Sequence, residues 1–323
     1  MENEDSVEKS LEIGYEIGAY LLLLATALIW AFTWPLGRWL VSPEVGGETI
    51  PPMIIASLRY FLVIPCFFLI LKIKEGTLSI SFMKSHWGIF VFMGLTSVTI
   101  YQAGYLIGEY FTSASDAVVI VSSHPMLVLI FASLILKIEE LNVMRICGTL
   151  LSFTGILLIF GFSPNVDVPD RILGDALIFL GAIFYALYIV TSRYFLNKCE
   201  NDSYQPSSLY IITWVSFFGF LTTVPVSLVI NPEYLNPILY FQVPERVWFG
   251  VAYLAFISTV LGYWFYLEGV KRLSASRAAI FQNLVPIFGV VLSVILLGEI
   301  FDPLIHISSI LLIISGITLV NRG

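Results

Sequence analysis

Ten apolar runs, each long enough to cross a bilayer, limit what this sequence can fold into. Lipid supplies no hydrogen bonds, so a chain that crosses it does so as helices or as a closed barrel of strands. The runs are continuous over about 20 residues rather than alternating over about ten, which favours helices. We predict an all-α integral membrane protein with ten transmembrane helices, over residues 18–41, 52–72, 87–108, 114–137, 141–162, 171–194, 207–230, 246–269, 276–298 and 303–321.

Charged residues make up 12% of the chain and hydrophobic residues 58%. A soluble domain carries about 25% charged residues, so the composition agrees with a chain surrounded by membrane lipid. No basic patch or stripe is present, which argues against a nucleic-acid partner. The residues able to bind metals or form disulfides are few and widely separated: Cys66, Cys147, Cys199, His86, His124 and His306. We therefore predict no metal site, no cofactor and no disulfide framework.

The distribution of lysine and arginine between the loops predicts the orientation of the chain. With both termini on one side of the membrane, twelve of the 16 basic residues fall on that side: Lys9, Lys72, Lys74, Lys84, Lys137, Arg145, Arg193, Lys198, Lys271, Arg272, Arg277 and Arg322. Arg38, Arg171 and Arg246 fall on the opposite side, and Arg59 lies within a span. Basic loops face the cytoplasm, so we predict a cell-membrane protein with cytoplasmic termini. Residues 1–17, acidic where a secretory signal would be basic, are predicted to be a cytoplasmic tail.

The second half of the sequence repeats the first half. A constant spacing of 161 residues pairs Ser97 with Ser258, Tyr105 with Tyr266, Gly108 with Gly269, Ser113 with Ser274, Ser115 with Ser276, Pro125 with Pro286, and Gly155 with Gly316. The first spans of the two halves match at a spacing of 155, pairing Ala27 with Ala182, Ala31 with Ala186, and Arg38 with Arg193. A match without gaps across three spans and their loops indicates an internal duplication.

Each copy contains five spans, so the second copy enters the membrane from the opposite side. Arg38 at the outer end of its span and Arg193 at the inner end of the matching span agree with this inversion. Inverted repeats are typical of transporters, which bind substrate near the midplane and expose it to alternate sides. We predict two inverted five-helix repeats, residues 18–162 and 171–321, forming a membrane carrier.

Two stretches of the chain carry a family resemblance. Residues 113–160, "SASDAVVIVSSHPMLVLIFASLILKIEELNVMRICGTLLSFTGILLIF", resemble the end of an EamA-type domain of the drug/metabolite transporter superfamily. Residues 273–320 are similar and carry the more typical "LLGE" at Leu296–Glu299, where the first copy has "LKIEE". "WAFTWPLGR" and "LRYFL" resemble the family's first two spans. The resemblance implies ten helices in two inverted EamA repeats and transport of a small metabolite, in a family that spreads over amino acids, sugars, nucleotide sugars and phosphorylated sugars.

Polar and aromatic residues in the middle of the spans are the candidates for a substrate site, because polar groups that face lipid are costly. The predicted substrate-binding residues are Trp30, Trp34, Arg59, Tyr101, Gln102, Ser122, Ser123, His124, Tyr185, Tyr188, Tyr263, Gln282 and Asn283. The acidic residues of the spans fall near span ends instead: Glu109, Asp116, Asp175, Glu268 and Glu299.

Several of these residues allow two interpretations. Pro125 and Pro286 follow polar residues in matching spans and are predicted hinges, although a static kink that improves packing is the alternative. His124 is either a proton-coupling group or a neutral hydrogen-bonding histidine. Arg59 is either a clamp for a carboxylate or phosphate, or a side chain that extends along its stem to the interface.

We expect a secondary carrier that moves a small polar or amphipathic metabolite, amino-acid-like and exported, by alternating access. A carrier of phosphorylated sugars or nucleotide sugars is the second choice. From other classes, a membrane-embedded enzyme would have to use His124 with Ser122 or Ser123, and a non-transporting scaffold or a flippase subunit would share the repeat. The expected partners are a small-molecule substrate and membrane lipid. The small faces of the fifth and tenth spans leave open a homodimer or internal packing.

Overall fold

The computed structural model describes residues 2–134, 142–163, 170–199, 204–273 and 281–322, with the backbone alone for residues 2–15 and 321. Within these residues the long helices are α1 (Glu2–Val41), α2 (Pro52–Glu75), α3 (Trp87–Phe111), α4 (Ala114–Leu134), α5 (Val143–Phe162), α6 (Arg171–Lys198), α7 (Ser208–Ile230), α8 (Glu245–Arg272), α9 (Leu284–Leu297) and α10 (Pro303–Arg322). Short helices lie in the connections, at Pro43–Val45, Ile80–Ser85, Pro232–Leu235 and Ile238–Gln242.

The predicted fold class is confirmed. In the described part of the chain, nine of these helices are long and apolar enough to cross a membrane, and α9 is apolar over 14 residues. α1 begins at Glu2, so the acidic segment is helical and continuous with the first span. Residues 136–140, which include Lys137, lie outside the described residues, as do Ser274, Ser276 and Arg277; these residues carry part of the orientation and repeat arguments.

The helix ends follow from local sequence. α2 begins at Pro52, whose missing N–H costs nothing in the first turn, and ends before Gly76, whose φ of 69° is the left-handed conformation that glycine accepts readily. Ser113 caps α4, because its hydroxyl accepts a hydrogen bond from the Asp116 N–H. Ser207 caps α7 in the same way. These short connections hold successive helices antiparallel across the bundle. We call the membrane side at the chain termini the termini side and the opposite side the far side.

Helix packing is symmetric under exchange of the two halves. α1 packs against α8 and α9, and the equivalent α6 packs against α3 and α4. α2 packs against α8 as α7 packs against α3. The remaining principal contacts join equivalent helices, namely α2 with α7, α4 with α9 and α5 with α10. The two repeats therefore interlock around a pseudo-twofold axis, with the first helix of each repeat lying among helices of the other.

Departures from regular helix also recur at the repeat spacing. α3 contains a π-helical stretch at Leu95–Ile100, and α8 contains one at Tyr253–Leu261. α4 is interrupted at Ser122–Ser123, and the matching helix is interrupted at Asn283. Irregular backbone at membrane depth is tolerated where it lines a cavity or bonds to neighbouring groups. Both kinds of irregularity thus mark the interior face of the bundle.

The small faces of α5 and α10 pack against each other within the chain. A Cβ built on Gly148 would lie 2.5 Å from the carbonyl oxygen of Gly316, and one on Gly155 would lie 2.8 Å from that of Ser309. The Ser152 hydroxyl donates a hydrogen bond of 3.3 Å to a carbonyl of α10. Of the two possibilities for these faces, the structure shows internal packing by close backbone approach.

Candidate functional site

Aromatic side chains near the middle of the bundle join the two repeats. The hydroxyl groups of Tyr185 on α6 and Tyr263 on α8 are hydrogen-bonded at 3.0 Å. The ring centroids of Tyr101 on α3 and Tyr188 on α6 lie 4.6 and 5.6 Å from that of Tyr185. The Trp30 ring on α1 lies 5.6 Å from the Tyr263 ring. We call these five residues the central aromatic group. All five side chains are half-buried within the bundle.

Arg59 on α2 points into the bundle beside this group. Its Nε and Nη2 donate to the Thr259 hydroxyl on α8 at 3.1 and 2.8 Å, and its Nη1 donates to Oε1 of Gln102 on α3 at 3.4 Å. Gln102 in turn donates to the Tyr60 hydroxyl at 3.4 Å. Among the described residues, no carboxylate lies within ion-pair distance of Arg59, which is 8% exposed. The guanidinium is therefore buried with neutral partners and does not extend to the interface.

His124 directly follows the break in α4 at Ser122–Ser123. Pro125 has no N–H, so the Val121 carbonyl loses its regular helical partner. The Nδ1 of His124 lies 2.9 Å from that carbonyl oxygen, which can only accept, so Nδ1 carries a proton and replaces the missing donor. The imidazole ring meets the Tyr185 ring edge-on at 5.8 Å. His124 thus borders the central aromatic group and also repairs the backbone.

The two serines before His124 donate their hydroxyl protons to carbonyls of their own helix. The Ser122 hydroxyl donates to the Val118 carbonyl of its own helix at 2.6 Å and is half-buried. The Ser123 hydroxyl donates to the Ile120 carbonyl at 2.6 Å and is fully buried. The structure therefore does not bring Ser123 to the central aromatic group.

Different residues line the interior on its two sides. A narrow cleft on the termini side is lined by Leu23, Thr26, Ala27, Trp30, Tyr266, Phe281, Gln282 and Val285. Asn283, half-buried, follows Gln282 at the helix break. Trp34, one turn from Trp30 toward the far side, is 6% exposed, and its ring centroid lies 4.9 Å from that of Tyr105. Trp34 therefore belongs to the packed side of the interior.

A buried network of charged side chains closes the far side. Arg38 on α1 donates to the backbone carbonyls of Glu109 and Thr112 at the end of α3. Its Nη2 lies 3.0 Å from an oxygen of Glu44, and its Nε lies 3.5 Å from an oxygen of Glu299. Four helices or connections of the two repeats thus converge on one guanidinium.

Glu299, in the connection between α9 and α10, also fastens the start of α4. Its carboxylate accepts hydrogen bonds from the N–H groups of Ala114 and Ser115, at 2.8 and 2.9 Å, and from the Ser115 hydroxyl at 2.6 Å. Burial raises the pKa of Glu299 above its ordinary value, while these donors favour the charged form. The glutamate of the "LLGE" motif is therefore a link between the two repeats.

A second buried cluster lies next to the first. The Ser163 hydroxyl donates its single proton to the Asp116 carboxylate on α4, with its oxygen 2.9 and 2.8 Å from the two carboxylate oxygens, and Asp116 lies 3.5 Å from Nε2 of His306 on α10. Arg171 pairs with Asp175 at 3.4 Å on α6 and lies 3.9 Å from Asp116. Sequence reasoning missed both clusters. Their signal was the recurrence of acidic residues at the far-side ends of several spans.

Comparisons with known proteins agree with this architecture. The model of the EamA-like transporter family matches residues 17–161 and again residues 172–322. In Bacillus subtilis (strain 168), the uncharacterized transporter YyaM is 26% identical over 86% of this chain and 85% of its own length. The uncharacterized transporter YetK of the same organism is 27% identical over 94% of this chain and 86% of its own.

A solved crystal structure shares the fold, with a TM-score of 0.55 and 18% identity over 93% of this chain and 95% of that one. The family model matches nearly the whole chain, in two copies that correspond to the two halves of the helix packing. With its apolar helices, the chain is a multi-pass membrane protein that belongs to the EamA-like transporter family.

Proposed function

We propose that this transporter carries a small amphipathic metabolite with a carboxylate group, similar to an amino acid, and exports it by alternating access. One observation carries the substrate class: the guanidinium of Arg59 is buried beside the central aromatic group, and its partners among the described residues are neutral. A buried charge without a counter-ion is costly. A carboxylate on the substrate would supply that counter-ion and would form charge-assisted hydrogen bonds with the guanidinium.

The surroundings of Arg59 suit such a ligand. Thr259 and Gln102 hold the guanidinium from two helices, so its orientation is set before substrate arrives. The rings of the central aromatic group offer apolar faces together with tyrosine hydroxyl groups, while the Trp30 N–H donates to the Ser258 carbonyl at 3.1 Å. Rings of this kind pack against an apolar side chain and bond to its polar end. The site thus combines one cation with an aromatic wall.

The arrangement of the repeats supports alternating access. The far side is closed by buried ion pairs, while the cleft beside Trp30 and Gln282 reaches toward the termini side. The excess of lysine and arginine on the termini side supports a cytoplasmic location for both termini and insertion in the cell membrane. Loading from that side followed by opening of the far side would be export.

The other candidates receive less support. A carrier of phosphorylated sugars or nucleotide sugars would need several cations for the added charge, and in the described residues the central site contains one guanidinium. A membrane-embedded enzyme would need a serine activated by a histidine. The hydroxyl groups of Ser122 and Ser123 both donate to carbonyls of their own helix instead. A scaffold or flippase subunit would have no use for the buried guanidinium.

The experiment is a thermal-shift screen of the purified protein against amino acids, organic acids, sugar phosphates and nucleotide sugars. A ligand at 100 times its Kd stabilises the protein by about 2.7 kcal/mol, which such a screen detects. A hit is then measured as flux in proteoliposomes, with the matched amide of the same compound as the control. We expect stabilisation by a carboxylate compound and none by its amide. Stabilisation by phosphorylated compounds alone would replace the proposed substrate class with the second candidate.

A further inference from the structure

Glu109 is a fully buried carboxyl group next to the Arg38 network. It lies at the far-side end of α3 and is 0% exposed. Among the described residues, neither of its carboxyl oxygens has a hydrogen-bond partner. The Arg38 guanidinium bonds to the backbone carbonyl of Glu109 and directs its other nitrogens to Glu44 and Glu299. The one cation in the immediate network is therefore engaged by other groups.

The Tyr105 hydroxyl, one turn earlier on α3, approaches the carboxyl group. This hydroxyl and Oε2 of Glu109 both lie against Gly37 of α1. The single hydroxyl proton is donated to the Thr33 carbonyl at 2.8 Å. The phenol oxygen is thus left as an acceptor toward Glu109. A carboxylate facing an acceptor gains nothing from it, whereas a protonated carboxyl can donate to it.

The elements packed around Glu109 supply the following charged and titratable groups. α1 supplies Arg38, the connection after it supplies Glu44, and the connection between α9 and α10 supplies Glu299. α3 itself supplies Tyr105 and Tyr101, and α6 supplies Asp175, bonded to the Thr112 hydroxyl at 2.5 Å.

One guanidinium thus faces three carboxyl groups in the immediate network. Glu299 accepts three hydrogen bonds and Glu44 is partly exposed, so both can stay charged. Glu109 is fully buried and accepts no hydrogen bond from the described residues, and a buried charge in that situation is strongly disfavoured.

We propose that Glu109 is a proton-binding site of the far-side gate, protonated while the gate is closed and ionised when it opens. In the closed state the carboxyl O–H donates to the phenol oxygen of Tyr105. When the far side opens, water reaches the carboxyl group, the proton passes to that water, and the carboxylate is left solvated. Closing reverses the transfer. The site adds a proton ligand to the proposed transport cycle, and its role in transport rests on the proposed function.

In the second repeat, the position that matches Glu109 carries no carboxyl group. The residue 161 positions after Glu109 is Val270, so the matching end of α8 has no equivalent carboxyl group there. Glu268, nearby on α8, pairs with Arg272 at 3.1 Å and is partly exposed. Within the described residues, the end of α8 that matches Glu109 therefore has no buried, donor-free carboxyl group, and we expect proton binding of this kind to act on far-side opening.

Infrared spectroscopy tests the proton directly and needs no substrate. A protonated carboxyl group has a carbonyl band separate from those of carboxylates and amides. At neutral pH we expect this band in the wild-type protein. Its intensity should fall by the contribution of one carboxyl group in Glu109→Gln and should stay at the wild-type level in Glu299→Gln. In Tyr105→Phe the band should shift, because the acceptor is removed. A band unchanged in Glu109→Gln, or one lost in Glu299→Gln instead, would overturn the proposal. The Tyr105→Phe measurement decides the matter if Glu109→Gln does not fold.

Hydrogen–deuterium exchange tests the link to the gate. Because opening releases a proton, the open population of the wild type should rise about tenfold per pH unit between the titration midpoint of the carboxyl group in the open state and its midpoint in the closed state, after correction for intrinsic exchange. Exchange of the backbone amides of residues 108–117 should follow that rise. Glu109→Gln, which mimics the protonated group, should remove the dependence, and the control Glu268→Gln should retain it. The same dependence in wild type and Glu109→Gln would refute the link. Neither measurement depends on substrate, so an unsuccessful ligand screen leaves this test intact.

Discussion

The guanidinium of Arg59 on α2 is held by the hydroxyl of Thr259 on α8, through hydrogen bonds of 3.1 and 2.8 Å. The Thr259 hydroxyl donates its own proton to the Leu254 carbonyl five residues earlier, at 2.7 Å, within a π-helical stretch. It therefore presents only lone pairs to Arg59. The irregular helix of one repeat thus orients the buried cation of the other.

Replacement of Arg59 should weaken binding of a carboxylate substrate selectively. Loss of a hydrogen bond to a charged group costs about 1.5–3 kcal/mol, which corresponds to roughly a 10–100-fold rise in Kd for Arg59→Gln. The amide analogue of the same ligand should bind both proteins alike. Calorimetric titration of the two ligands checks this difference. An equal loss for carboxylate and amide would mean that Arg59 acts on packing alone.

The hydroxyl groups of Tyr185 and Tyr263 should stabilise the protein through the one hydrogen bond that they share. Removing either hydroxyl, in Tyr185→Phe or Tyr263→Phe, should lower the free energy of unfolding by about 1 kcal/mol. Because the groups are partners at 3.0 Å, the double variant should cost less than the two single costs added together. Chemical denaturation of the four proteins in detergent provides the cycle. Strict additivity would contradict a direct interaction in solution.

The spans and the duplication could be predicted from the sequence because each has a strong local signal. An apolar run of bilayer length has one stable structure in lipid, and the spacing of 161 residues aligns Ser97 with Ser258, which both lie in π-helical stretches. The π-helical geometry itself could not be predicted, since one extra residue in a turn leaves no compositional trace.

The far-side network could not be predicted for a different reason. Arg38, Glu109 and Glu299 are distant in sequence and fall at span ends, where charged residues ordinarily meet water. Only the packing of α1, α3 and the connection before α10 buries them together. The direction of the Arg59 side chain is likewise a tertiary property, because its acceptor lies 200 residues away.

The close approach of α5 and α10 should be sensitive to a single methyl group. A Cβ on Gly316 would collide with the Ser152 hydroxyl and with the Gly148 carbonyl oxygen, so Gly316→Ala should cost about 1–3 kcal/mol. Gly161→Ala is the matched control, because a Cβ there meets nothing within 4 Å. Thermal unfolding of the two variants should therefore differ. Equal melting temperatures would show that the two helices separate easily.

His124 should be dispensable for the pH dependence of transport. Its Nδ1–H bonds to the Val121 carbonyl that Pro125 leaves without a backbone donor, a structural role that needs no change of charge. Glutamine also carries an N–H donor, so His124→Gln should keep the wild-type pH profile. Glu109→Gln should flatten that profile, because it removes the buried proton.

Flux into proteoliposomes across a pH series, with the ligand identified by thermal shift, compares the two variants directly. If His124→Gln flattens the pH profile and Glu109→Gln keeps it, the proton-coupling group is His124 at the helix break and not Glu109. Glutamine is neutral and similar in size to glutamate and histidine. Each variant therefore removes the titrating group while it keeps most of the packing.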